Sequence, residues 1–144
     1  MAHLQRSVAS LRVGGDALRP ERITKLLGHE PTRGQIKGEE IIGPVTGNKR
    51  IIKTGMWVLE AADCEPENLD AQISDLLGKL TADLSIWAQI KSEFKLDLFC
   101  GLFMGVNNEG LSISAASLEA LGQRGIELAL DIYGPLSKEL EQDA

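Results

Sequence analysis

The sequence has few of the residues from which metal sites, disulfide frameworks and membrane spans are built. It contains only two cysteines and two histidines in 144 residues, and none has the C-x-x-C or H-x-x-x-H spacing of a metal site. No apolar run approaches the roughly 20 residues of a membrane helix. Positive charge is also scarce, because the chain has 15 Lys and Arg residues but 21 Asp and Glu residues, which gives a net charge of −6. Nucleic-acid binding needs a basic surface, so we expect no nucleic-acid partner, no membrane segment, no metal and no cofactor.

Signals for catalysis are missing as well. There is no G-x-S-x-G motif, and neither Cys64 nor Cys100 has the flanking residues of a catalytic cysteine. The glycines of the stretch Gly43–Lys49 do not fit the phosphate-binding pattern G-x-x-x-x-G-K-[ST]. Cys100 lies in an apolar segment and is predicted to be a core residue. Two unpaired thiols and a terminus, Met1–Arg6, without an apolar leader predict a cytoplasmic protein.

The most regular pattern in the chain is an amphipathic stretch from Asn68 to about Lys91. Its apolar residues recur at helical spacing and share one face; they are Leu69, Ile73, Leu76, Leu77, Leu80, Leu84 and Trp87. The pattern predicts one long helix that packs on the sheet, with Gly78 on its exposed side.

Alternating apolar residues predict the strands Ser7–Val13, Met56–Ala61, Leu96–Met104, Leu111–Ser114 and Ile126–Tyr133. The last of these is expected to bury one face, formed by Ile126, Leu128, Leu130 and Ile132. Weaker β segments, about Gln35–Ile42 and Arg50–Lys53, are expected to flank a turn at Thr46–Asn48.

Two short helices complete the predicted order β-α-β-β-β-α-β-β-α-β. The first begins at Pro20 and ends at Gly28. The second is capped by Ser114 and is expected to bury Leu118 and Leu121.

Hairpin connections in this order predict an α+β fold with a mainly antiparallel sheet and helices on one face. A ferredoxin-like core with an added β-α-β unit satisfies the order. The length fits one domain, 1–144, with a core at about 7–134 and a polar C-terminal tail at 136–144.

Two groups of polar residues are candidates for a ligand or partner surface. The basic group would form a rim if the hairpin folds back, and consists of Thr32, Arg33, Lys37, Lys49, Arg50 and Lys53. Asp131 and Tyr133 share the polar face of the last strand. Each group also has a structural interpretation, namely an edge strand protected by Lys and Arg and a solvated sheet face.

The chain resembles a bacterial family described as domain of unknown function 4279. The resemblance runs from about Ser7 to Tyr133. It rests on the segments Leu11–Val13, Pro20–Thr32, Gly55–Trp57, Leu76–Leu77 and Leu130–Tyr133, and most specifically on L-L-G-x-x-P-T, G-x-W and D-I-Y. The family implies a single cytoplasmic domain and supplies no catalytic residues.

Three functional hypotheses follow. The leading one is a non-enzymatic protein-interaction module, one version being an immunity-type protein that neutralises a basic toxin. The second is a small-ligand-binding protein or minor enzyme, with its site between Asp131, Tyr133 and the loop 32–53. The third is a homodimer, because the strand Leu96–Met104 is apolar on both faces and has too few helices to cover it.

Overall fold

The structure, a computed structural model, describes residues 4–135. Its strands are β1 (Arg6–Gly15), β2 (Arg33–Gln35), β3 (Glu40–Ile42), β4 (Lys49–Ile51), β5 (Gly55–Glu60), β6 (Lys95–Phe103) and β7 (Glu127–Tyr133). Its helices are α1 (Pro20–Leu27), α2 (Leu69–Gly78), α3 (Leu84–Glu93) and α4 (Ala115–Gln123). The predicted α+β class is confirmed, whereas the polar tail predicted at 136–144 lies outside the described residues.

Five strands form one mixed sheet in the order β2-β5-β1-β6-β7, and β3 and β4 pair separately as a hairpin. The pairs β2–β5, β5–β1 and β1–β6 are antiparallel. Only β6 and β7 run parallel, joined by α4 in a β-α-β unit. The prediction of a mainly antiparallel sheet is therefore confirmed.

The core lies on one face of this sheet, under the helices. Alternate residues of β1, namely Ala9, Leu11 and Val13, are fully buried and belong to one cluster with the apolar sides of the helices. This alternation is what a strand with one covered face requires. Trp57 and Trp87 are fully buried in the same cluster.

The prediction of one long helix over 68–91 is wrong, because most of the apolar residues of this stretch belong to two helices, α2 and α3. Gly78 is the last residue of α2, and Asp83 caps α3 by accepting a hydrogen bond from the Ser85 amide at 3.0 Å. The indole of Trp87 donates to the carbonyl of Thr81 at 2.8 Å and so holds the linker against α3. Since both helices face the same core, the spacing of apolar residues hides the break.

The segment before α4 also differs from the prediction. Leu111–Ser114 is an extended loop and not a strand. Ser114 does cap α4, accepting from the Ser117 amide at 3.1 Å. Leu121 is buried, as predicted, but Leu118 is 50% exposed, which corrects the expectation that α4 buries both leucines.

Candidate interaction surface

The structure separates the two groups of predicted site residues. Thr32 and Arg33 lie at the β2 edge of the sheet, and Asp131 and Tyr133 lie on β7 at the opposite edge. Four inter-strand steps of about 4.8 Å put these edges roughly 19 Å apart. Thr32 and Arg33 are therefore separated from Asp131 and Tyr133 by the width of the sheet, and the groove between Asp131, Tyr133 and the loop 32–53 stays a prediction.

Thr32 and Arg33 serve the packing of the β2 edge. The Thr32 hydroxyl accepts a hydrogen bond from the Glu60 amide at 2.9 Å. The Arg33 guanidinium forms an ion pair with the Glu60 carboxylate. Both contacts tie the segment around β2 to the end of β5, so these two residues have structural roles.

Three of the predicted basic residues lie on the β3–β4 hairpin or directly after it, whereas Lys37 precedes β3 and forms an ion pair with Asp16 at 3.1 Å. Lys49 and Arg50 are exposed on β4, and Lys53 is exposed just after it. Pairing of Glu40 with Ile51 and of Ile42 with Lys49 places these four side chains on one face. Because Ile42 and Ile51 are each about 60% exposed, this face mixes apolar and charged side chains at the surface.

Asp131 and Tyr133 lie together on the sheet face that has no helices. The Tyr133 hydroxyl donates to the Asp131 carboxylate at 2.7 Å. The Tyr133 ring stacks on Phe103, with centroids 4.8 Å apart and an angle of 10° between the planes, and Arg6 lies 4.8 Å from the Phe103 centroid. The hydrogen bond to Asp131 raises the pKa of Tyr133, so the phenol stays protonated and is poorly suited to act as a base.

The outer face of β6 is covered by arginines from β1. Arg12 lies 4.4 Å from the Phe99 centroid and donates two hydrogen bonds to Asp97. Arg6 covers Phe103 in the same way. The prediction of a homodimer rests on the apolar outer face of this strand. Side chains of the same chain therefore already cover part of that face, at Phe99 and Phe103.

Within residues 4–135, no strand pairs with the outer edge of β7. The Tyr133 carbonyl accepts a hydrogen bond from the Met104 amide and so faces β6. Because successive residues of a strand point their N–H and C=O groups to opposite sides, those of Leu128, Leu130 and Ile132 face away from β6. None of the strands in residues 4–135 pairs with these donors and acceptors.

Apolar side chains flank this free edge. Leu130 is 43% exposed and Ile132 57% exposed, which corrects the prediction that β7 buries one full face. Leu118 is also exposed, and it belongs to α4, a helix that contacts β7. We call the outer edge of β7 with Leu118, Leu130 and Ile132 the β7 edge surface.

The sequence pattern gave no sign of this surface. Strict alternation in Ile126–Tyr133 predicts a strand with one buried face, and a central strand has the same pattern as an edge strand. The sequence predicts no strand after Tyr133, and this is its one indication that β7 could be an edge strand.

A separate surface cavity of about 430 Å³ lies between α1 and the segment around β2. Its lining includes Glu21, Lys25, Glu30 and Glu39. Asp131 and Tyr133 do not contribute to it. Among residues 4–135, no three His, Cys, Asp or Glu side chains are grouped so that they could hold a metal ion.

The family model for "Domain of unknown function (DUF4279)" matches residues 5–135. The chain belongs to this family. The DUF4279 description names no activity, so it assigns no role to the residues of the β7 edge surface. No curated protein and no solved structure matches the chain, and the ferredoxin-like core stays a prediction. Within the described part of the chain, every helix is too short or too polar to cross a membrane.

Proposed function

We propose that this DUF4279 domain is a non-enzymatic protein-interaction module whose partner adds a β-strand to the outer edge of β7. The observation that supports the proposal is the combination of backbone groups on β7 that pair with no strand of residues 4–135 and the exposed side chains of Leu118, Leu130 and Ile132. Long exposed edges are normally blocked by Lys, Pro or a bulge, because they pair with other chains. In strand addition, main-chain hydrogen bonds provide affinity and neighbouring side chains provide specificity.

β7 lacks such protection along its length. Its seven residues contain no Lys and no Pro, and its only charged side chains are Glu127 and Asp131. Both belong to the face without helices, because they pair with Asp97 and Gly101 of β6. The face that α4 covers is therefore apolar up to the edge, and a partner strand would extend it.

The test is capture by the tagged full-length chain from its native lysate, with two lysine variants compared with the wild type. Leu130→Lys places a charge at the centre of the edge, and Ile51→Lys places the same charge at an exposed apolar strand position on the hairpin. We expect a specific partner to be retained by Ile51→Lys and lost by Leu130→Lys. Equal retention by both variants, or no captured protein at all, with an untagged copy of this chain counted as a partner, would overturn the proposal.

One version of this proposal is an immunity-type protein that binds a basic toxin. Its support is the net charge of −6, which favours association with a basic partner. A toxin gene next to this one would favour the version, and a solitary locus would count against it. The two unpaired cysteines, Cys64 and Cys100, and the family resemblance support placing the protein in a bacterial cytoplasm.

The alternative is a small-ligand-binding protein or minor enzyme with a site near the last strand. The observation in its favour is the exposed group formed by Asp131, Tyr133 and the Phe103 ring. A thermal-shift panel of metabolites tests it, with Asp131→Asn and Tyr133→Phe as the informative variants. A shift that both variants abolish would support the alternative. No shift with any metabolite, or one that both variants leave unchanged, would exclude it.

A further inference from the structure

We propose that the strand added to β7 is the β7 of a second copy of this chain, in an antiparallel pair with its twofold axis at Leu130. This inference rests on the proposed function of the β7 edge surface and names its partner. Closed dimers use the same surface on both copies, and a twofold axis between two identical strands makes them antiparallel.

The backbone of β7 restricts the possible registers. Only Leu128, Leu130 and Ile132 present their N–H and C=O groups to the free edge, as the inward-facing Tyr133 carbonyl shows. An antiparallel pair must therefore match these residues with one another. Three registers that pair at least five residues satisfy this rule, and their twofold axes lie at positions 129, 130 and 131.

The charges of β7 distinguish the three registers. An axis at Ala129 would place Glu127 opposite Asp131 of the other copy, and an axis at Asp131 would place Asp131 opposite itself. Like charges in direct opposition destabilise a strand pair. An axis at Leu130 avoids both, because Glu127 meets Tyr133 and Asp131 meets Ala129. This register also pairs all seven residues of β7, more than either alternative.

The same register joins the apolar parts of the two edges. Leu128, Leu130 and Ile132 lie on the helix-covered face, since they pair with Leu98, Cys100 and Leu102 of the core. In the dimer, these residues of the two copies would form one apolar row. Leu118 of each α4 would flank the row, and the two five-stranded sheets would become continuous across the axis.

The interface is small, so the dimer should be weak. A standard stable interface buries about 800 Å² per partner, whereas here one short strand and one leucine of a helix make the contact. We therefore expect reversible dimerisation in the micromolar range. Analytical ultracentrifugation of the full-length chain over that range should show dimers for the wild type and for Ile51→Lys, but monomers for Leu130→Lys.

Disulfide trapping tests the register. In a background that carries Cys64→Ser, one sample contains the Ala129→Cys variant, another contains Asp131→Cys, and a third contains an equal mixture of the two. With the axis at Leu130, positions 129 and 131 of opposite copies form a non-hydrogen-bonded pair about 4.5 Å apart at Cα, which a disulfide can bridge. Position 129 of one copy would be too far from position 129 of the other copy to form a disulfide, and the same holds for position 131.

We therefore expect a covalent dimer after mild oxidation of the mixture only. A dimer of Ala129→Cys alone would place the axis at 129, a dimer of Asp131→Cys alone would place it at 131, and either result overturns the proposal. A wild type that stays monomeric at every concentration also overturns it, whatever else covers the edge. The proposed function can survive a monomeric wild type. It does so if the wild type and Ile51→Lys capture a different protein that Leu130→Lys does not capture.

Discussion

Arg12 and Asp97 face each other across the β1–β6 pair, and the guanidinium donates two hydrogen bonds of 2.8 and 2.7 Å to the carboxylate. The two side chains differ in burial, because Asp97 is 7% exposed and Arg12 is 32% exposed. A charge that loses its partner costs more when it is shielded from water. The pair therefore predicts unequal effects of removing either partner.

We expect Arg12→Leu to lower the free energy of unfolding by about 3 kcal/mol, because it leaves the Asp97 carboxylate buried and unpaired. Asp97→Leu should cost only about 1 kcal/mol, since the Arg12 guanidinium can still reach water. The double variant should lie within about 1 kcal/mol of the wild type. Urea unfolding of the four proteins completes the cycle, and equal effects of the two single variants would contradict this account.

Two glycines should respond to alanine with opposite signs. A Cβ on Gly55 would lie 2.7 Å from the Gly15 carbonyl oxygen and 2.9 Å from that of Leu18, so backbone must move. Gly78 ends α2 with open space around it. We expect Gly55→Ala to destabilise the protein by about 2 kcal/mol or more and Gly78→Ala to stabilise it by about 0.5 kcal/mol. Thermal unfolding measures both, and destabilisation by Gly78→Ala would show that this glycine has a role in the fold.

Features decided by neighbouring residues could be predicted from the sequence. The Ser114 cap of α4 and the left-handed glycines Gly28, Gly47 and Gly125, which follow a helix or form a turn, depend on a few residues each. The buried face of β1 follows from alternation alone.

Features decided by strand order could not be predicted in the same way. The sequence pattern of Ile126–Tyr133 does not indicate that β7 is the last strand in the order β2-β5-β1-β6-β7. The exposure of Leu130 and Ile132 could therefore not be predicted from it. The distance between Arg33 and Asp131 depends on the same order. The break between α2 and α3 was locally encoded by Gly78 and the Asp83 cap, but the continuous apolar stripe outweighed these signals.

Asp70 predicts a pH dependence of stability. Its carboxylate accepts hydrogen bonds from the Ser114 amide at 3.0 Å and the Ser117 hydroxyl at 2.7 Å, and these bonds lower the pKa of Asp70 in the folded protein. The stabilisation of the folded protein by the Asp70 carboxylate is therefore complete above the pKa of Asp70 in the unfolded chain, near 3.9. This stabilisation is lost as the pH falls through the pKa of Asp70 in the folded protein.

We expect Asp70→Asn to destabilise the protein by about 1 kcal/mol at neutral pH, with the difference from the wild type shrinking below about pH 4. Asp75→Asn is the control on the same helix, because Asp75 forms only an exposed ion pair with Lys79 and should matter little. Urea unfolding over a pH series gives the comparison. A difference that grew toward low pH would contradict the assignment.

The two thiols should differ in reactivity. Cys100 is fully buried on β6, and burial raises its pKa to about 12, so almost no thiolate forms at neutral pH. Cys64 is partly exposed and forms an isolated β-bridge with Ser7. A thiol reagent should modify Cys64 alone in the folded protein and both residues after denaturation. The Cys64→Ser variant should lose the reaction of the folded protein, and a fast reaction of Cys100 would contradict its burial.

The basic residues of the hairpin should be dispensable for folding. Lys49, Arg50 and Lys53 are exposed, so replacing all three with Glu should change the free energy of unfolding by less than about 0.5 kcal/mol. Arg33→Glu is the matched control, because it breaks the ion pair with Glu60 and places like charges together, at a cost of about 1 kcal/mol. If the triple variant folds normally, capture from lysate then tests the hairpin as a surface. Loss of a partner that Leu130→Lys retains would assign the interaction to the hairpin and not to β7.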